Sequence, residues 1–428
     1  QGKRIIWTPY STLMYCGDPA ELEGQKDGDD QSSDEAEVIV QRWLPELAGD
    51  PSYNRNLSRA RSDMALEIDT IRGWDPEVDV ELRTVGFGVG SYGSWQYRVK
   101  QPLDVMDRLG VAMRTHAPFC GKQKVRLPSP AELEMLQPHS LLMHNTLHDE
   151  YIEAMEKYKR INKAFIVFGQ DDLMTALPPK NPFSTSIYKD MKRRIRKCLL
   201  LADRLLVTTE PLADALRGMA DDIRVVPNYL DSAVWGALKT QRGVSSRPRV
   251  GWAGAQQHLG DLELIADVVR ETAHEVDWVF FGMCPDFLLP YVKEVHNPVL
   301  FADYPAKLTT LNLDFAVAPL ERNKFNEAKS NLRILEYGAI GCAVIATDIE
   351  PYRNAPLARV SNQPRAWINA IRERSNDLDA TWQEGDCLRD WVMDHCMLQQ
   401  HLNAWLMTLD PMAGSKCQTM AGDRAAGL

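Results

Sequence analysis

Short apolar runs alternate with helical segments twice along this chain, and nothing else in the sequence restricts the fold as much. In the first series the strand-like runs are Val111–Thr115, Ser140–His144 (SLLMH), Ala164–Phe168 (AFIVF), Leu205–Thr208 and Ile223–Val226. Helical stretches at Pro102–Leu109, Pro130–Leu136, Leu147–Ile161, Ser186–Ala202 and Pro211–Met219 accompany them. The second series sets strands at Arg249–Trp252, Trp278–Phe281, Val299–Phe301, Asp314–Ala318 and Ala343–Ala346, with helices at Leu259–Ala273 and Pro290–Val295. Strands that are apolar throughout are buried on both faces, as in a parallel sheet layered with helices. At 428 residues the chain exceeds one ordinary core. The expected fold is α/β, with two doubly wound Rossmann-like domains facing each other across a cleft and ligands held at the carboxyl ends of the strands.

The remaining segments frame this alternation. Lys3–Tyr10 reads as a strand rather than a secretory signal, Gly17–Ser33 as a polar insertion, and Asp34–Leu47 and Asn56–Ile71 as helices. The Gly-rich stretch Gly86–Tyr97 can be read as a phosphate cradle or as a turn-rich loop. The loop is the reading taken, because no strand–helix pair is seen to bracket a G-x-G-x-x-G. Residues 235–248 are polar, with Gly243, Ser245 and Ser246, and read as a linker. Leu388, Trp391, Val392, His395, Leu398, Leu402, Trp405 and Leu409 fall on one helical stripe over Cys387–Leu409, and the tail beyond Pro411 reads as frayed. No run of 18 apolar residues is present, so no membrane-spanning helix is expected. Eight scattered cysteines without a C-x-x-C suggest reduced thiols in a cytoplasmic protein rather than a zinc module. The net charge of −10 disfavours a nucleic-acid coat.

Chemistry concentrates in Asn323–Thr347 (NKFNEAKSNLRILEYGAIGCAVIAT). Asn326, Glu327, Lys329 and Ser330 stand just ahead of an apolar helical stretch that begins at Leu332. A loop feeding a helix start offers free N–H groups and about half a positive charge, and Lys329 adds a full one. Such a place suits a diphosphate. Glu336, further into the helix, is positioned to accept from sugar or ribose hydroxyls.

Several pieces recur in a recognisable order: Asp171-Asp172-Leu173 with Leu177-Pro178 and Asn181-Pro182; Ala202–Thr209 with Leu212; Val226-Pro227-Asn228; Gly251–Gly254 with His258 and Asp261-Leu262; and Phe325-Asn326, Lys329-Ser330, Leu332, Leu335–Tyr337 and Gly341. Together they resemble the retaining GT-B glycosyltransferases of bacterial polysaccharide and phage clusters. The match spans roughly residues 164 to 353. The resemblance implies an acceptor-side domain at 1–233, a linker at 234–248 and a nucleotide-sugar domain at 249–380. A helix at 381–410 would cross back to the first domain, with a flexible tail at 411–428. It implies that Lys329, Ser330, Asn331 and Leu332 hold the diphosphate, that Gly254 lets the backbone approach it, and that Glu336 grips the ribose. It departs at the first glutamate of the family's E-x7-E, where Ala328 stands. Asn326 and Glu327 are then the candidates for gripping the sugar. Where many members carry Arg or Lys, this chain has Ala255–His258, and Lys324, Arg322 or Arg333 are the candidate cations.

Plainer roles stand beside these. Asp171 and Asp172 can meet an acceptor as catalytic carboxylates or cap the following helix. His144 and His148 can bond a sugar, but read first as structural. His258 with Asp261 reads as functional. The run Lys189–Lys197 can dock an anionic membrane surface, though it reads first as a solvated helix face. The expectation is a glycosyltransferase moving a sugar from a nucleotide-diphosphate donor, UDP- or GDP-linked, to a saccharide, lipid-linked or other hydroxyl acceptor with retention. Catalytic candidates are Asp171, Asp172, Glu327 and Lys329, with no metal and no tightly bound cofactor. The rivals are an enzyme acting on modified DNA bases, a sugar-nucleotide epimerase and a catalytically silent binding module.

Overall fold

Arg83–Val89 (RTVGFGV), which runs into the stretch Gly86–Tyr97 read as a loop, is a buried strand and the organising element of the first sheet. The computed structural model describes residues 37–54, 56–57, 66, 82–89, 93–119, 127–181, 184 and 189–413. The segments Lys3–Tyr10 and Gly17–Ser33, most of Asn56–Ile71 and the tail beyond 413 lie outside these. Residues 37–42 and Leu44–Ala48 are helical, so Asp34–Leu47 is interrupted at Trp43.

The first sheet contains β1 (Arg83–Val89), β2 (Met113–Phe119), β3 (Ser140–His144), β4 (Ile166–Gln170), β5 (Arg204–Val207) and β6 (Ile223–Val225). All are parallel, in the order β2-β1-β3-β4-β5-β6. The second contains β7 (Arg249–Ala253), β8 (Asp277–Phe281), β9 (Glu294–His296), β10 (Phe315–Ala318), β11 (Ala343–Thr347) and β12 (Ala358–Val360), again all parallel, in the order β12-β11-β10-β7-β8-β9. Winding reverses between β1 and β3 in one sheet and between β7 and β10 in the other. Those two points are where open α/β sheets leave a crevice at their carboxyl ends.

Gly88 of β1 serves packing. A Cβ on Gly88 would collide with the Trp95 ring of the helix that crosses the sheet. That helix starts at Gly93, so a strand and a helix do bracket Gly88, Gly90 and Gly93, the spacing the sequence reading missed. It runs through a wider π-turn at Gln96–Lys100 into α1 (Gln101–Arg108). Pro102 lacks an N–H and its ring crowds the carbonyl four residues back, which the wider turn relieves.

Other segments depart from expectation for identifiable reasons. Pro290–Val295 is not a helix: a short turn at Leu289–Tyr291 leads into β9, and Val299–Phe301 forms no strand. As an edge strand β9 carries charged, half-exposed residues instead of an apolar run. Leu259–Ala273 breaks at Ile265 into two helices. Polar residues 235–248 are fastened to the second half, with Trp235 in its core and Gly243 donating its N–H to Asp314 at 2.8 Å.

Two helices of the second half matter for the site, α2 (Lys324–Glu327) and α3 (Leu332–Ala339). The single helix expected over 381–410 is two: α4 (Leu378–His395) and α5 (Leu402–Leu409). The break exists because the chain here pairs with Leu230, whose N–H donates to Cys396 O and whose carbonyl accepts from Leu398 N. Helix α4 stays on α3, where a Cβ on Gly338 would come within 2.8 Å of Val392. Only the last piece packs on the first half, with Trp405 and Leu409 beside Val99, Leu103, Leu142 and Leu206.

Candidate active site

Helix α2 begins at Asn323, whose side chain caps Asn326 N–H at 2.9 Å. Phe325 and Ala328 then tuck into the core of the first half, so this loop belongs to both sheets' layers. Helix α3 starts after Asn331 with no side chain capping it. The start therefore keeps the outward-facing N–H groups and positive dipole end that favour an anion.

The charges gather around that start. Lys329 Nζ lies 4.9 Å over the Phe325 ring. Burial pulls its ammonium down, and Asp172 and Asp261 only partly offset this. Arg333 stacks on Trp252 at 5.3 Å, and its Nη1 is buried without a partner. Gly254 has a packing reason: a Cβ there would lie 2.6 Å from Trp252 and 3.0 Å from Arg333 Nη2. His258 Nδ1 sits 2.7 Å from Asp261 Oδ2. Burial, with Arg333 and Lys329 nearby, lowers its pKa to about 3. The ring is neutral at pH 7, donates through Nδ1 and keeps Nε2 as an acceptor. Asp261 Oδ1 accepts from Glu321 N–H at 2.7 Å and from Asn326 Nδ2 at 3.1 Å. Asn326 also donates to Glu321 O at 2.8 Å, so its amide supports the loop rather than reaching a sugar.

Across the cleft, Asp171 and Asp172 follow β4. Asp171 Oδ1 accepts from Asn145 Nδ2 at 2.7 Å, and its Oδ2 is 3.7 Å from His144 Nε2. Burial would raise the Asp171 carboxyl, but His144, Ser94 and Asn145 outweigh it and hold it well below the usual range. Asp172 goes the other way, up to about 6, through burial and the neighbouring Asp171, with Lys329 opposing. Neither carboxylate caps the turn that follows at Met174–Ala176. Ser94 Oγ is 2.9 Å from His144 Nε2, but Asp171 faces the same nitrogen and Nδ1 has no partner, so this is no Ser–His–Asp relay.

Glu336 does not stand open to a ribose. Its Oε1 accepts from Tyr97 O–H at 2.7 Å, from the π-turn of the first half, and its Oε2 from Tyr304 O–H at 2.9 Å. Burial lifts its pKa to about 7, against the pull of both hydroxyls. Glu327 points away from the charged cluster, its Oε2 accepting the Glu350 N–H at 3.3 Å. The Asn331 side chain makes no cap, and Leu332 packs against the second core. The structure thus groups Asp171, Asp172, Lys329, His258, Asp261 and Arg333; Glu327 bonds elsewhere, and Glu336, though it feels the charge of Arg333, has both oxygens engaged by tyrosines. Sequence reasoning missed Tyr97 and Tyr304 because nothing local marks them. Further contacts close the cleft: Lys180 pairs with Glu263 and Glu321, and Thr209 Oγ1 donates to Ala328 O at 2.8 Å. A small pocket lies beside them between Lys180, Asn181, Gly260, Asp261, Glu321 and Asn326.

No family model matches the sequence, and no curated protein does. Solved structures do. Anabaena HepE in complex with UDP and glucose superposes with a TM-score of 0.56 at 11% identity, over 77% of this chain and 100% of that one. A glycosyltransferase from Rickettsia africae gives 0.54 at 12%, over 76% and 97%. Sucrose-phosphate synthase from Thermosynechococcus elongatus gives 0.51 at 12%, over 76% and 97%. The fold is GT-B. The chain also spans 57% of the length of TarM, at a TM-score of 0.48.

Proposed function

We propose that this GT-B chain is a glycosyltransferase that takes a sugar from a nucleotide-diphosphate donor, with retention, and passes it to a saccharide or lipid-linked hydroxyl. One observation carries the reading: Lys329, with Arg333 behind it, sits at the uncapped start of α3 and faces Asp171 and Asp172 across the cleft. The demanding part of glycosyl transfer is the departing diphosphate, whose charge grows in the transition state. Preorganised cations and N–H dipoles aimed at it are the most effective remedy. Neutral His258 offers a sugar hydroxyl an acceptor at Nε2. Asp172, on the acceptor side, is the carboxylate able to take a proton near neutral pH. For Glu336 to hold a ribose, a ribose hydroxyl must either use the second lone pair of one of its oxygens or replace the hydroxyl of Tyr97, and in the latter case the first half yields on donor binding.

A cytoplasmic setting is part of this proposal; no helix among the described residues is long and apolar enough to cross a membrane. The helix Met191–Leu201 exposes Lys192, Arg193 and Arg196 beside the 84% exposed Leu200. That face is a candidate for peripheral contact where a lipid-linked acceptor resides, and co-sedimentation with anionic vesicles tests it. The occupied Glu336 favours one second reading, a silent module locked shut. Calorimetry with UDP-, GDP- and ADP-sugars, followed by donor hydrolysis without acceptor, separates the two. An enzyme binds one donor and hydrolyses it slowly; the silent module does neither.

A further inference from the structure

Asn228 reaches from the first half to the loop ahead of α3, and its orientation is fixed from behind. Arg98, 1% exposed, places Nη1 3.2 Å from Asn228 Oδ1, 2.7 Å from Val226 O and 3.3 Å from Pro227 O. A guanidinium only donates, so the atom of Asn228 facing it is the carbonyl oxygen, and the opposite amide rotamer would set N–H against N–H. Asn228 Nδ2 therefore faces Ser330 Oγ, at 2.9 Å. The Ser330 oxygen is the acceptor in that bond. Its own proton is free to donate elsewhere, and it has no protein acceptor among the described residues.

Arg98 is an unusual anchor for a polar side chain. It stacks on Trp405 at 4.9 Å, no carboxylate among the described residues pairs with it, and its Nε is buried without a partner. A full positive charge thus lies behind a chain of bonds running Arg98 to Asn228 to Ser330. Each link polarises the next in a site of low dielectric, which makes the terminal hydroxyl a better donor.

We propose that Asn228, backed by Arg98, is a positioning residue that turns the Ser330 hydroxyl outward as a donor to the diphosphate of the bound nucleotide. The inference rests on the donor-site reading above and deepens it. It also makes the diphosphate site depend on closure, because Asn228 belongs to the first half and Ser330 to the second.

The test is calorimetric binding of UDP, GDP and ADP to the full chain and to Ser330→Ala, Ser330→Thr, Asn228→Asp and the Asn228→Asp/Ser330→Ala double variant. In Asn228→Asp a carboxylate of the same shape accepts from both Arg98 and Ser330, drawing the hydroxyl inward. For the nucleotide the parent binds tightest, Ser330→Ala and Asn228→Asp should each weaken binding about tenfold, the worth of one hydrogen bond to a charged group. Ser330→Thr should bind like the parent, and the double variant no more weakly than Ser330→Ala. Further weakening in the double variant would mean that the introduced carboxylate repels the diphosphate by its charge alone, and would overturn the proposal. So would Asn228→Asp binding normally while Ser330→Ala does not. Should Asn228→Asp melt early, Asn228→Ser replaces it; it removes the amide that orients the Ser330 hydroxyl but leaves that proton free, so it should weaken binding by less than Ser330→Ala does, and binding equal to the parent's would overturn the proposal. If the parent binds none of the three nucleotides, the donor-site reading falls and this inference with it.

Discussion

Two clusters of buried ionisable groups line this cleft, and they are finished differently. Around Lys329 the charges are incompletely matched: Arg333 has a bare buried nitrogen, Asp172 is pushed up to about 6 by burial and by Asp171, and the α3 start is uncapped. Around Glu336 everything is matched, with one tyrosine hydroxyl on each carboxylate oxygen. Unpaired buried charge costs stability, so a chain that carries it unrelieved leaves room for a ligand to relieve it. A carboxylate with a donor on each oxygen already has partners without one. The Lys329 cluster is therefore the better candidate for the reacting end of the donor, and Glu336 for the contact that holds the halves together.

The largest expected effect comes from removing the cation. Lys329→Ala should lower donor turnover by about 10²–10³-fold, the loss seen when one preorganised charge-stabilising group is deleted. Folding should be affected far less, because the ammonium is already destabilised by burial. Thermal melting beside steady-state rates checks this. A variant that keeps full turnover would erase the contrast between the clusters.

Glu336 should instead reveal itself in stability. Its folded pKa of about 7 lies above the ordinary 4.5, so between those values the folded chain binds a proton that the unfolded chain releases. Stability is highest below about pH 4.5, falls as pH rises to about 7 and is level above, by roughly 3 kcal/mol over the window. Asp172 slopes the same way through pH 6, so the comparison must be with Glu336→Gln, which keeps Asp172 and removes only the Glu336 part. Parallel melting curves for parent and variant from pH 5 to 7.5 would contradict the assignment.

Tyr97→Phe sharpens the division further. Losing a hydrogen bond to a carboxylate should cost about 1–3 kcal/mol of stability. If a ribose displaces Tyr97, donor affinity rises by several-fold at the same time. A fall in affinity would make Tyr97 part of the nucleotide site.

How much of this was legible follows the same division. Strands β3, β4, β5 and β8 declared themselves because both faces are buried and the residues between their polar ends are apolar. Strand β1 did not, since Gly88 answers to Trp95, which lies outside the strand. Nor did β9, whose place at the edge replaces the apolar run with Glu294 and His296. Lys329, Asp171, Asp172 and His258 stood in local patterns that could be recognised. Tyr97 and Asn228 act through partners 239 and 102 residues away, and no local pattern encodes that distance. Glu336 was legible as a residue, but its bonding was not, because each oxygen is taken by a side chain from another element.

The smallest effect belongs to Asp172, and it bears on the acceptor side of the charged cluster. Its carboxyl, raised to about 6 by burial and Asp171, is half ionised there and fully ionised by about pH 8. A carboxylate that receives the acceptor's proton acts only when ionised, so kcat/KM should climb through pH 6 and level off above 7. Asp172→Asn should flatten that limb and lower the plateau, while the Kd of the donor changes little, because Lys329 and α3 remain. If the limb persists in Asp172→Asn, the titrating group lies elsewhere. If donor Kd shifts as much as kcat/KM, Asp172 serves only to hold Lys329 in place, and the cluster loses its acceptor-side member.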